Sequence, residues 1–433
     1  MSSNSKPNLK AGSTFGESFD QSVHKTYDFA SDDASSVDGD SNEVDDMEEA
    51  RGVAEKETQR LRFWRFVVTD VLIFVGVTLS LTGYAILRDM QDREFQKAFE
   101  TFAETLRDST AERQQVSEQA LASLANSASV MTGTENMNPW PYRTPLKFES
   151  SAEQVRALTS SRIRSVSFNS VVQQVNKDLW LKYVDNVHEQ VVEENHRIAG
   201  TQDSDFDPIG YQSQITMFDA ENKVYLPDTL RDYYFPSLTW SPPPPSYETI
   251  NWNLGSVPEF ENVLETFLQS ELPKGDTLLS PIVSRSKVPL TAGVKEYQDE
   301  QPLTYVFAPV HDQNITSPQI QTSFVAVVAG GFAWQDQLRN TLPSNVKGIV
   351  VVVQSKGEYC NNGEDAASSF SYQVNGPEVL ALGPGDRHDE EYEQYRVTMP
   401  LPASSAASRM EHYQYELVSK LSLSFDFDFA YCF

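Results

Sequence analysis

Residues 66–87 read FVVTDVLIFVGVTLSLTGYAIL, a run of 22 positions holding a single charge. As a helix rising 1.5 Å per residue it is about 33 Å long, enough to cross a hydrocarbon core of about 30 Å. The core helix of a soluble domain normally carries a polar stripe at this length. A cleaved signal peptide has a short basic region before its apolar core and a small-residue cleavage site after it. Here more than sixty mostly hydrophilic residues precede the run, and it closes on Leu87, Arg88 and Asp89. The expectation is one uncleaved transmembrane helix, 63–88 with its flanks. Its charge, Asp70, lies near the N-terminal end beside Arg65. There a carboxylate reaches the headgroups and costs less than the roughly 2.5–3.5 kcal/mol of a mid-membrane acid. Asp70 reads as an interfacial acid rather than a relay or gate.

Basic residues on either side set the orientation. Arg51, Lys56, Arg60, Arg62 and Arg65 precede the run, against Arg88, Arg93 and Lys97 after it. This imbalance places the N-terminus in the cytoplasm and the C-terminal bulk outside, with the plasma membrane as the expected location. Phe63 and Trp64 supply an aromatic belt at the inner interface.

Residues 1–60 are expected to form a disordered acidic cytoplasmic tail. They are rich in Ser, Asp, Glu and Asn, most acidic over 32–49, and hold too little apolar surface to offset ordering entropy. Ser35, Ser36 and Ser41 stand among acids as candidate phosphorylation sites, against the plainer reading of a solubilising tail. Beyond the membrane run, residues 89–132 predict a stalk helix. Phe95, Phe99, Phe102 and Leu106 recur at helical spacing, and Val116, Leu121, Leu124 and Ala128 resume the stripe. No Gly or Pro intervenes before Gly133. Two compatible uses of this stripe stay open: a homodimer through the stalk helix, and packing on the chain's own sheet.

Residues 133–405 predict an α+β domain with a mostly antiparallel sheet. A loop over 132–151 carries Trp140 and Pro141, and a strand follows over 164–172. Next come an amphipathic helix over 178–198 and a hairpin over 214–226 that turns at 219–222. The aromatic stretch 233–240 leads into Pro242 and three further prolines that force an extended chain. A short helix lies behind Pro258. Strands are expected over 278–284, 303–309, 322–330 and 348–354, with a helix over 334–342 closed by Pro343. Residues 406–433 form a tail of uncertain status, although 421–433 alternates like a strand.

The totals exclude some classes. A chain of 433 residues with 39% apolar content has ample material for a core. A net charge of −28 argues against nucleic-acid binding, which needs a basic face. Cys360 and Cys432 are too few for a disulfide scaffold, and their pairing stays open. No phosphate-binding glycine loop, dinucleotide fingerprint, zinc-protease motif, paired C-x-x-C or nucleophile elbow stands in a convincing context. No catalytic residue, metal or cofactor is therefore expected. The stretch from Gly383 to Asp389 resembles a site, but two glycines around a proline more often make a surface turn. His188 and His196 are two helical turns apart, too far to share a metal without a third ligand. Asn314, in the triplet Asn314-Ile315-Thr316, is a glycosylation acceptor if that side is luminal.

Aromatic density is the more useful signal. Tyr233, Tyr234, Phe235, Trp240, Tyr247 and Trp252 crowd together, as core packing or as a partly apolar pocket for a small extracellular ligand. On the second reading Tyr234, Phe235, Trp240 and Trp252 are the candidate ligand-binding residues.

Several segments in order also resemble a known family. They are the anchor with its long helix, the Trp140-Pro141 loop, and Ser165 to Val172 followed by an acidic-aromatic helix. Further on stand Tyr234-Phe235-Pro236 through Trp240, and then Ile250-Asn251-Trp252-Asn253-Leu254. Pro281-Ile282-Val283, Asn375-Gly376-Pro377 and Gly385-Asp386-Arg387-His388-Asp389 complete the series. Over residues 61–401 the chain resembles the N-terminal half of the receptor-type guanylate cyclases of diatoms. The resemblance implies a CHASE-like external sensor built from a stalk helix and PAS-like α+β modules. Such receptors continue through a second membrane span into a cyclase domain, and this sequence has no second apolar run. The expectation is thus a truncated input half without catalytic turnover, and no cyclase residue is carried over. The alternatives are a standalone cell-surface interaction protein and a non-signalling partner subunit of full-length cyclases.

Overall fold

The computed structural model describes residues 41–131, 139–145, 147–160, 162–199, 213–229, 231–243, 247–269, 275–289, 301–312, 324–356, 369–388, 393, 395–401 and 414–421, with 41–50 and 414–421 as backbone alone. Residues 1–40, Asn314, Cys360, Cys432, the prolines at 244 and 245 and the strand-like 422–433 lie outside these residues. The chain divides into two compact units, Met1–Leu87 and Arg88–Phe433.

The first unit is helical from Ser41, where α1 (Ser41–Met131) begins. Residues 41–60, expected to lack structure, are therefore corrected to helix. Glu, Ala, Lys, Arg and Gln dominate 48–60 and propagate readily from an existing helix, which removes the nucleation cost. Among the described residues α1 is the one helix long and apolar enough to cross a membrane. Its apolar side chains over 66–87 stand exposed, Phe74 at 73%. The hydroxyls of Thr69, Thr78 and Thr82 each donate to the carbonyl four residues back, at 2.8 Å. That arrangement satisfies these three hydroxyls in an apolar medium.

In the second unit α1 buries a face made of Phe99, Ala103, Leu106, Leu121, Leu124, Ala125 and Ala128. The same face carries Thr110, Gln114, Ser117 and Glu118, while Val116, expected on the stripe, is 43% exposed. The 3.6-residue period explains the correction, because 110, 114, 117 and 121 share a face and 116 falls beside it. The stripe packs on the chain's own sheets. Leu121 lies over Gly330, where an added Cβ would fall 2.4 Å from its Cδ1, so only glycine admits this close approach.

The helix α2 (Phe148–Leu158) follows, starting inside the stretch expected to be a loop. Phe148, Ala152 and Val155 recur at i, i+4 and i+7 and are buried, against β1 (Ile163–Ser170). Next come β2 (Val172–Gln173), α3 (Lys177–Ala199), β3 (Thr216–Asp219), β4 (Val224–Pro227), β5 (Tyr233–Tyr234) and β6 (Ser237–Ser241). They are followed by α4 (Pro258–Gln269), β7 (Leu278–Leu279), β8 (Leu303–His311), β9 (Phe324–Ala333) and α5 (Trp334–Leu338). The first sheet has the order β6-β1-β9-β8-β7, antiparallel throughout. It is covered on both faces, and side chains alternate accordingly: Val306, Ala308 and Val310 join the core with α1, while Tyr305 and Phe307 join a second core under α3 and α4. The expected strand over 278–284 shrinks to β7, since Pro281 cannot donate to a ladder.

The second sheet has the order β12-β11-β10-β14-β13, from β10 (Ile349–Lys356), β11 (Ser369–Asn375), β12 (Glu378–Pro384), β13 (Val397–Pro400) and β14 (Gln414–Leu421). Asn375 pairs with Glu378 across a two-residue turn whose Gly376 has φ +59°. β14 lies between β10 and β13, with Ile349 opposite Leu421 and Lys356 opposite Gln414. The boundary at residue 405 is thereby corrected, because residues 414–421 are an interior strand of this sheet. Ile349, Val351, Val353, Tyr372 and Val374 share one core with α1 and the first sheet.

Candidate functional site

The four aromatic candidates do not form an open pocket. Tyr234, Phe235, Trp240 and Trp252 are all buried, at most 4% exposed, in the core between the first sheet, α3 and α4. Alternation in β5 decides their fate: Tyr234 points inward while its neighbour Tyr233 is 38% exposed. The Tyr234 hydroxyl donates to Gln174 Oε1 at 2.6 Å, and Lys177 Nζ sits 4.7 Å over its ring. Of the four, Phe235 lines a cavity wall.

That cavity is a cleft of about 710 Å³ between the 228–235 segment and α4, within the usual range for small-molecule sites. Its apolar floor is Phe235, Leu264 and Leu268, and Tyr233 stands at its edge. Asp228, Arg231, Asp232, Glu261 and Glu265 surround the floor. Glu261 and Glu265 share a face of α4 by their four-residue spacing. Asn253 fixes the geometry: its Oδ1 accepts from the backbone N–H of Phe235 at 2.7 Å and of Gly255 at 3.1 Å, and its Nδ2 donates to Asp228 Oδ2 at 2.7 Å. At Gly255 an added Cβ would lie 3.2 Å from Phe235 Cδ2, so the ring would have to give by a few tenths of an ångström. Arg231 bridges Asp228 at 3.1 Å and Glu261 at 2.8 Å, so its charge is already matched. Among the lining residues four carboxylates stand against one guanidinium, with Lys177 Nζ behind them at 2.6 Å from Asp228 O, so the cleft keeps a net negative charge. An apolar floor under such a rim suits a small organic cation, for which the Tyr233 ring offers a face.

The sequence reading missed these charged residues. The available signal was Asp228-Thr229-Leu230-Arg231-Asp232, which runs directly into the aromatic stretch, together with the acids of α4.

A second cleft, of about 500 Å³, lies along α1 and is lined by Gln115, Glu118, Gln119, Ser123, Asn126 and Thr277 among others. Glu118 is 2% exposed and accepts from Gln114 at 2.8 Å and Thr277 at 2.9 Å. Burial raises its carboxyl above the usual range, and those two hydrogen bonds partly offset the rise.

The 383–388 stretch forms the surface turn that its glycines suggest. Gly383 and Gly385 have φ of +125° and +81°, and Ser371 Oγ donates to Gly385 O at 2.7 Å while accepting from Arg387 N–H. His388 sits between Asp386 at 2.6 Å and Glu393 at 2.7 Å. His188 is half-buried, with Nδ1 2.9 Å from Asp185 O. No family model matches the chain, and a search of curated proteins finds no match either.

Proposed function

We propose that the chain is the sensing part of a single-pass plasma-membrane receptor, similar to the ligand-input half of a receptor-type guanylate cyclase. Residues 1–60 lie in the cytoplasm in this reading, and the unit Arg88–Phe433 lies outside and binds a small cationic ligand in the acidic cleft. The observation that carries it is the strand order. Numbered by its own strands along the chain, the first sheet runs 2-1-5-4-3, an antiparallel sheet in keeping with the α+β sensor modules that the resemblance implies. The exposed apolar run of α1 supports membrane attachment. A homodimer would use the opposite face of α1, where Gln115, Gln119 and Asn126 are exposed. We assign binding and relay to this chain, and no catalytic turnover.

Topology is tested with epitopes at both ends in intact cells. Added protease should remove the C-terminal epitope and spare the N-terminal one; the reverse pattern, or protection of both, would overturn the receptor reading. The cleft is tested by thermal unfolding of the full chain in micelles with simple primary amines and their neutral acylated analogues. Amines should raise the midpoint where the neutral analogues do not. Asp232→Asn with Glu265→Gln should weaken that effect by about tenfold, equal to about 1.4 kcal/mol. Equal stabilisation by neutral analogues would refute a cation site while leaving the topology result untouched.

A further inference from the structure

The five-residue helix α5 connects the last strand of the first sheet to the first strand of the second. It is gripped from several directions. Arg113 of α1 donates to the carbonyls of Gln337 at 2.7 Å, Arg339 at 2.5 Å and Asn340 at 3.1 Å, capping the helix end with one guanidinium. Arg164 of β1 holds Asp336 at 2.7 Å in a largely buried ion pair. Toward the second sheet, Gln335 Nε2 donates to Val379 O at 2.6 Å, and Asn340 N–H to Pro377 O at 3.1 Å. Each of these contacts fastens α5 either to α1 and the first sheet or to the β11–β12 hairpin.

Against these grips stand groups that the packing leaves without partners. Gln337 is fully buried, and neither its amide nitrogen nor its amide oxygen has a hydrogen-bond partner. The hydroxyl of Tyr372, in the middle of β11, is likewise buried and unpartnered, within the electrostatic reach of Arg164 and Asp336. A buried polar group without a partner destabilises the packing that holds it, and calls for a physical account in a native structure. Both orphans sit by the α5 junction, which ties the two sheets together in addition to the core they share with α1. We propose that α5 is a latch between the two sheets, closed by Arg113 and Arg164 and biased toward opening by Gln337 and Tyr372. Opening wets the orphaned groups, frees the β11–β12 hairpin from the first sheet and releases α1 at Arg113. The latch is a property of the Arg88–Phe433 unit and does not depend on which side of a membrane that unit lies.

The test uses the full chain in micelles and replaces the orphans with apolar groups of similar shape. Tyr372→Phe and Gln337→Met should each raise the unfolding midpoint, by about 2 °C or more. They should also slow amide hydrogen exchange over residues 334–340 by about threefold or more. Arg113→Lys, which keeps the charge but loses the planar fork, should speed exchange over the same residues and over the β11–β12 turn, with β8 and β9 unchanged. If Tyr372→Phe and Gln337→Met lower the midpoint, the two groups are satisfied by bound water and the latch is refuted. Unchanged exchange over 334–340 in all three variants refutes it as well.

Discussion

Replacing Trp252 with alanine should lower the unfolding free energy of the Arg88–Phe433 unit by about 3–5 kcal/mol, as expected for deleting a fully buried indole. Trp252 has no exposed surface and shares its core with Trp240, Phe260 and Tyr305. Its backbone carbonyl accepts from Ser237 N–H at 2.9 Å, so the ring is anchored where β6 begins. The indole N–H has no partner. Trp252→Phe should therefore cost much less than Trp252→Ala, because the lost N–H contributed nothing and only part of the ring volume goes. Denaturant unfolding of the full chain in micelles, followed by circular dichroism, measures both. A ligand-contacting tryptophan at a cleft rim behaves in the opposite way, losing affinity while the midpoint stays. An unchanged midpoint for Trp252→Ala would return the residue to the list of binding candidates.

This contrast also shows what the sequence could reveal and what it could not. Long periodic segments were legible: α3, α4, the β3–β4 hairpin and the apolar runs of β8, β9 and β10 all lie close to where hydrophobic spacing puts them. The helix α2 was hidden because it starts behind Lys147, whose φ of 60° and lack of a side-chain cap give no start signal. β14 was hidden because its partners β10 and β13 are chosen by the tertiary fold rather than by any local turn. Aromatic density did locate the neighbourhood of the cleft. It could not separate Tyr233 from Tyr234, since which side of β5 faces the core depends on its pairing with β2. The polar junction at α5 was illegible for a related reason. Arg113, Arg164 and Asp336 are far apart in sequence, and only the docking of two sheets on α1 brings them together.

Stability of the same unit should fall as pH rises from about 4.5 to about 7, and Glu149 should account for much of the fall. Glu149 lies in the first turn of α2 and is 4% exposed. A helix N-terminus favours a carboxylate, and the residue's own backbone N–H helps. Burial outweighs both, Glu194 adds repulsion, Arg197 gives partial relief, and the carboxyl is pushed up to about 7. Between the unfolded value near 4.5 and this folded value, the folded chain keeps a proton that the unfolded chain has released. Stability is then complete below about 4.5, declines through that window and levels off above it. The difference of about 2.5 units corresponds to about 3 kcal/mol. Glu118 is shifted in the same direction and adds to the slope. Glu149→Gln removes the charge while keeping the shape, so it should raise stability near pH 8 and flatten, without abolishing, the decline. Unfolding midpoints of the two proteins at pH 5 and pH 8 decide the matter. If the variant keeps the parent's full pH dependence, the carboxylate at 149 is not desolvated, and α2 does not close over it against β1 and α3.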